Sequence, residues 1–214
     1  MTTLRISEIY PSIQGESTHA GRPCVFVRLT GCPLRCVWCD TTYAFSGGET
    51  LSIDEIVSRS QTHGLDTVEV TGGEPLAQKG TAELLARLAE SFATVLLETS
   101  GAFSIRELDP RVHVILDLKA PGSGELERND WDNIGALQEN DEVKIVLADR
   151  SDYEWARQLV TDGRLPLQLP IHFSPVHGAL TPDTLASWLV EDRLPVRLQL
   201  QQHKYIWDPN AKGV

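Results

Sequence analysis

Cys32, Cys36 and Cys39 stand in the short run GCPLRCVWCD, directly after the apolar segment PCVFVRLT. Three thiolates at Cys-x3-Cys-x2-Cys spacing can hold a four-iron cluster and leave one iron without a protein ligand, open to a substrate or cofactor. A fourth thiolate would close the site, as in structural zinc centres. The count therefore points to chemistry rather than scaffolding. A zinc knuckle wants a further Cys or His at short spacing, and none follows Cys39 before His63. Strand alternation puts Cys24 on one face with Phe26 and Arg28, which makes Cys24 a small core residue rather than a ligand. Arg28 can clamp a carboxylate in a bidentate fork or pair with one of the chain's many acids.

Other polar groups recur where apolar segments end. In Thr71-Gly72-Gly73-Glu74-Pro75 the two glycines let backbone approach a ligand closely, and Glu74 can accept from an ammonium. Glu98-Thr99-Ser100-Gly101, Asp117 with Lys119, Ser174 and His203 mark further segment ends. Of only five lysines, Lys119, Lys144 and Lys204 lie in or just after strand-like segments. Lysines so placed point to an anionic ligand inside the fold; snorkelling at sheet ends is the plainer alternative.

Elements must bring these ends together. CVFVRLT, TVEVTGG, TVLLETSG, HVILDLKAPGSG, EVKIVLAD and PLQLPIHFSP read as strands, and PVRLQLQQHKYIW reads as a last one. Ser52-Ile53-Asp54-Glu55 is a capping box opening a helix. Leu84, Leu85, Leu88 and Phe92 give a second helix its apolar face, and Tyr153, Trp155, Ala156 and Leu159 lie on a third. Thr181-Pro182 starts a fourth. Strands alternating with helices of about 10–15 residues imply βα units and a parallel sheet. Some six units in 214 residues fit an α/β fold with a partial, incomplete parallel β/α barrel, since a full eightfold barrel takes about 250 residues. A single domain, residues 1–214, is expected. Ligands of parallel sheets sit at the carboxyl ends of the strands, so the polar ends should share one rim.

The net charge of −11 argues against a general nucleic-acid binder, which needs a basic stripe. No apolar run reaches the roughly 18 residues of a membrane span. No signal peptide is evident, and the cysteines crowd too closely for a disulfide framework, so a reducing cytoplasm is expected.

The cysteine run, with Trp38 just before its last cysteine, resembles the radical S-adenosylmethionine (SAM) enzymes. The resemblance implies a 4Fe–4S cluster on Cys32, Cys36 and Cys39, SAM on the open iron, and a 5′-deoxyadenosyl radical as the working reagent. It makes Trp38, Asp40, Gly72, Gly73, Glu74, Ser100, Asp117, Lys119 and Ser174 the expected SAM contacts. The stretch EIYPSIQGE from Glu8, then Gly21-Arg22-Pro23, Arg28, Cys39-Asp40-Thr41, Thr71 and Gln202-His203-Lys204 narrow the likeness. Together they are similar to those members of the superfamily that contract a carboxylated pterin to a 7-deazaguanine.

That narrower resemblance runs from residue 8 to residue 207. It implies conversion of 6-carboxy-5,6,7,8-tetrahydropterin to 7-carboxy-7-deazaguanine with loss of ammonia, on the way to queuosine and other 7-deazapurines. Ile13, Gln14, Gly15 and Glu16 are then expected at the pyrimidine edge and Arg28 at the carboxylate. Thr71 and His203 join the substrate site, with Lys204 closing the far side. Thr41 is expected on Mg²⁺, a hard ion that takes oxygen ligands. A homodimer and an electron donor such as flavodoxin or ferredoxin are also implied. Ser17 departs from the glycine that the family commonly has there, and whether Val214 reaches the substrate is open. A glycyl-radical activase would share the cysteine run but has no need of Gln14, Glu16 or Arg28. An electron carrier or zinc module would want a closed ligand set.

Overall fold

Alternation along the strands gives the sheet an apolar outer face and a polar inner one, and this contrast builds the architecture. The computed structural model describes residues 2–209 and 211–213. Strands β1 (Thr3–Ile13) and β2 (Pro23–Leu29) form an antiparallel hairpin, and β3 (Glu49–Ser52) adds antiparallel to β1. From β2 the sheet continues in parallel through β4 (Thr67–Gly72), β5 (Thr94–Thr99), β6 (Val112–Lys119) and β7 (Glu142–Leu147). It ends with β8 (Ile171–Pro175) and the two-residue β9 (Arg197–Leu198). The strand order is β3-β1-β2-β4-β5-β6-β7-β8-β9, open at both edges, so the parallel part is a partial barrel.

The helices are α1 (Ile53–Gln61), α2 (Thr81–Ala89), α3 (Arg150–Thr161), α4 (Pro182–Asp192) and the single turn α5 (His203–Ile206). The capping box is present: Ser52 Oγ accepts from Glu55 N, while the Glu55 carboxylate accepts from Ser52 N at 2.8 Å. Such a cap contributes about 1 kcal/mol. Val25, Val27, Val68, Val70, Val95, Leu97, Leu116, Val143, Ile145 and Phe173 form one buried cluster with Ile56, Leu84, Leu88, Tyr153 and Leu185 of the helices. Each such side chain contributes roughly 1.5–3 kcal/mol on burial, so this outer layer drives folding. The intervening strand positions point the other way; Arg28, Glu69, Glu98, Asp117 and Lys144 make this face largely polar, with Phe26, Ile115 and Val146 among them.

Three features differ from the sequence reading. The amino-terminal stretch supplies two antiparallel strands, β1 and β3, beyond the parallel set. The β5–β6 connection, residues 100–111, carries no helix, and β6 reaches β7 through three short 3-10 turns. The expected last strand shrinks to β9, and His203 opens α5 instead. Its residues turn to the β1–β2 loop: the buried Gln199 Nε2 donates to Ser17 O at 3.1 Å, and the Gln202 backbone N–H to Gly15 O at 2.9 Å. Leu198 remains exposed, so its alternation found no layer to cover it, and tertiary contacts overrode strand propensity.

Candidate active site

The cysteine loop leaves β2 at Leu29, beside the end of β4, and is pinned from both sides. Gly31 N donates to Ala44 O at 2.7 Å, Glu74 N to Gly31 O at 2.8 Å, and Val37 N to Ser123 O at 3.0 Å. Arg35 folds back onto Cys32 O at 2.7 Å, and its guanidinium stacks 4.2 Å from the Phe45 ring centroid. Cys32, Cys36 and Cys39 are unpaired and half-buried, while Cys24 is fully buried elsewhere on β2. Burial pushes the Cys32 and Cys36 thiols up, offset only in part by the Leu34 backbone at Cys32 and by Lys119 at Cys36. Among the described residues no trio of His, Cys, Asp or Glu is close enough to hold a single metal ion. A cluster needs thiols facing a shared space instead, and all three line one cavity of about 780 Å³. The donor set fits a three-thiolate cluster.

Gly72 and Gly73 have a structural reason beyond ligand access. A Cβ on Gly72 would lie 2.5 Å from Leu29 O, and one on Gly73 would collide with Gly31 O and come within 2.8 Å of Cys32 Cβ. The paired glycines let the end of β4 lie flat against the root of the cysteine loop.

Of the twenty residues expected to contact cluster, cofactor, magnesium or substrate, eighteen line this cavity. They are Cys32, Cys36, Cys39, Thr41, Trp38, Asp40, Gly72, Gly73, Ser100, Asp117, Lys119, Ile13, Gln14, Gly15, Glu16, Arg28, Thr71 and His203. Glu74 and Ser174 lie behind the wall, fully buried. The Glu74 carboxylate accepts from Leu76 N, Thr99 Oγ1, Ser100 N and Ser100 Oγ, so it has no free oxygen for an ammonium. Ser174 Oγ donates to Gln199 O at 2.9 Å. Both hold the rim rather than form it.

The loop between β1 and β2 tucks under the sheet's inner face. Gln14 Nε2 donates to Glu69, Thr18 N donates to the Glu142 carboxylate at 3.0 Å, and Gln201 Nε2 donates to Glu16 Oε1 at 2.9 Å. Gly15 packs so tightly on His203 that a Cβ would lie 2.5 Å from its Nδ1. Burial lowers the pKa of this histidine. Ser17 has a φ of +64°, the left-handed region that favours glycine, and its Oγ accepts from His19 N at 3.0 Å. That conformation explains a glycine preference at this position.

Arg28 does form a salt bridge, Nε to Glu8 Oε1 at 2.7 Å, and its Nη2 donates to Tyr10 OH at 2.9 Å. Lys119 pairs with Asp117 at 2.9 Å; despite burial, Asp117 and the Cys36 thiol hold it above the ordinary lysine range. Lys144 is buried between Glu16 at 2.8 Å and Glu98. Lys204 pairs with Asp40 at 2.6 Å. Burial would raise Asp40, but Lys204 and Thr41 outweigh it and bring its pKa to about 2. All three lysines thus have carboxylate partners, so none is an uncommitted anion site.

Sequence reasoning left out Tyr10, Phe26, Tyr43, Glu69 and Gln201, which also line the cavity. Glu69 and Lys144 carried a readable signal, a charge in the middle of an apolar strand, TVEV and EVKIV. The tail residues Asp208, Pro209, Ala211, Lys212 and Gly213 also reach the cavity; Val214 lies outside the described residues.

An open parallel barrel with three free thiols at its mouth defines a radical SAM enzyme, and the Radical SAM superfamily model matches residues 26–121. The chain is 51% identical to the 7-carboxy-7-deazaguanine synthase of Chlorobaculum tepidum, covering 99% of this chain and 97% of that one. It is 44% identical to the enzyme of that name from Koribacter versatilis, over 99% and 100%. The crystal structure of QueE from Escherichia coli shares the fold, with a TM-score of 0.71 at 24% identity, covering 94% of this chain and 95% of that one. The chain belongs to the 7-carboxy-7-deazaguanine synthase family.

Proposed function

We propose that the enzyme converts 6-carboxy-5,6,7,8-tetrahydropterin to 7-carboxy-7-deazaguanine by a radical ring contraction that releases ammonia. The observation that carries this reading is that Gln14, Arg28, Thr71 and His203 share one cavity with Cys32, Cys36 and Cys39. Its volume suits a cofactor and a bicyclic substrate together. The cysteines would hold a 4Fe–4S cluster, with Trp38, Asp40, Gly72, Gly73, Ser100, Asp117 and Lys119 around SAM. When bound, cluster and SAM supply a 5′-deoxyadenosyl radical that takes the hydrogen from carbon 6 of the pterin.

The chain's own residues bind, orient and shield. Ile13, Gln14, Gly15 and Glu16 form the wall for the pyrimidine edge, with Thr71 and His203 beside it. Arg28 keeps Nη1 for the carboxylate, since Nε and Nη2 are held by Glu8 and Tyr10. Thr41 offers a hydroxyl to Mg²⁺ and already donates to Asp40 Oδ1 at 2.9 Å. Tyr10, Phe26, Ile115 and Val146 give the cavity apolar surface that excludes water. Glu74 acts from behind, holding Ser100 in place.

No helix among the described residues is long and apolar enough to cross a membrane. A cytoplasmic home suits free thiols and an oxygen-sensitive cluster. One domain, residues 1–214, would pair as a homodimer and draw electrons from flavodoxin or ferredoxin.

The test is anaerobic reconstitution followed by assay with SAM and the carboxypterin. Expected are a brown protein with about four iron per chain and pterin-dependent formation of 7-carboxy-7-deazaguanine. SAM cleavage indifferent to the pterin, with no deazaguanine, overturns the reading. An unchanged rate after Mg²⁺ is stripped removes the ion from it.

A further inference from the structure

The Gln14 amide is committed at both ends inside the protein. Its Oε1 accepts from Glu16 N at 2.8 Å, and its Nε2 donates to Glu69 Oε2. Gln14 is 4% exposed and Glu69 only 2%. The Glu16 carboxylate is equally committed, with Oε2 accepting from Lys144 Nζ at 2.8 Å and Oε1 from Gln201 Nε2 at 2.9 Å. Every polar atom of the two side chains thus already has a protein partner. Among the described residues, the Gly15 N–H and the Glu16 carbonyl take part in no hydrogen bond. Gly15 and Glu16 both line the cavity, so this donor and acceptor are available to the amide edge of a pterin. The placement of those backbone groups then depends on what holds Gln14.

Glu69 holds it from the middle of β4. Three carboxylates, Glu16, Glu69 and Glu98, gather on this wall of the cavity near Lys144. Lys144 pairs with Glu16 and Glu98 and, at 3.8 Å, with Asp117, and forms no salt bridge with Glu69. Burial and the two neighbouring carboxylates push the Glu69 pKa well above the usual range. An uncharged carboxyl can accept from Gln14 without the cost of a buried, unpaired charge.

We propose that Glu69 is a positioning residue: its buried carboxyl fixes the Gln14 amide, and through that amide the backbone of residues 13–16, for the amide edge of the substrate. This rests on the pterin reading above. Acting through the Gln14 amide, Glu69 should affect substrate binding more than the chemical step.

The experiment is anaerobic steady-state kinetics on the reconstituted holoenzyme and on Glu69→Gln, Glu69→Leu, Gln14→Leu and the Gln14→Leu/Glu69→Leu double variant. Iron content and pterin-free SAM cleavage are measured alongside. Glu69→Gln keeps an acceptor for Gln14 and should hold KM for the carboxypterin within about twofold. Glu69→Leu strands the Gln14 donor in a buried site and should raise KM roughly tenfold, with kcat changed far less. The double variant should be no worse than the poorer single one. Loss of kcat in Glu69→Gln equal to that in Glu69→Leu overturns the proposal, as does a double variant whose loss is the product of the two. A competent wild type with an unaffected Glu69→Leu overturns it alone. A wild type that makes no deazaguanine overturns the pterin reading and this proposal with it.

Discussion

Lys204 Nζ lies 2.6 Å from Asp40 Oδ2, so α5 is tied directly to the residue after the last cluster cysteine. The pair joins the substrate side of the cavity to the cysteine side. The Asp40 carboxylate is half exposed, and such a pair contributes about 1 kcal/mol or less to folding. Lys204→Met should therefore barely move a urea denaturation curve. It should lower kcat/KM about tenfold, the cost of a misplaced catalytic wall. Parallel measurement of both quantities separates this outcome from general loosening.

Lys144 is the opposite case. It is buried between Glu16 and Glu98, and Lys144→Met leaves two carboxylates without their cation. Removing one partner of a buried pair costs roughly 3–5 kcal/mol. Urea unfolding of the cluster-free protein should show a loss of that size. Adding Glu98→Gln should recover part of it, because the two sites share one interaction.

Gly73→Ala tests the junction between β4 and the cysteine loop. The added methyl meets Gly31 O and Cys32 Cβ, and overpacking of this kind costs about 1–3 kcal/mol. Iron per chain after reconstitution should fall together with the melting temperature. A normal iron content with a lowered melting temperature would show that the loop tolerates the shift.

Glu142 gives a pH dependence with a definite sign. Burial would raise its pKa, but His172 Nε2 at 2.6 Å and the Thr18 hydroxyl and N–H outweigh it and hold the carboxyl below the ordinary range. A carboxyl depressed in the folded state contributes stability above its unfolded-chain pKa and loses it as pH falls through the folded one. The Glu142 contribution to unfolding free energy should thus decline as pH falls below the ordinary glutamate range. Thr18→Val should shrink that decline, as measured by denaturant titration at each pH.

The cysteine loop, the capping box at Ser52 and Glu55 and the parallel strands were legible because each is written in a few adjacent residues. The partnerships inside the cavity were not. Gln14 meets Glu69 across 55 positions and Glu16 meets Lys144 across 128, and no local pattern encodes a contact of that span. The same limit explains Glu74, which looked free for a ligand until Thr99 and Ser100 came round to occupy it. Alternation in PVRLQL predicted a strand, yet Gln199, Gln201 and Gln202 were claimed by the β1–β2 loop.

The β1–β2 loop has partners at Glu142, 124 positions from Thr18, and at Gln199, 182 positions from Ser17, with Gln202 beyond. Contacts of such separation must await closure of the intervening chain. The outer valines and leucines can collapse while this loop hangs loose, so the barrel can form before its pocket does. Recovery of the hydrophobic core and recovery of substrate affinity should then be separate events in time during refolding.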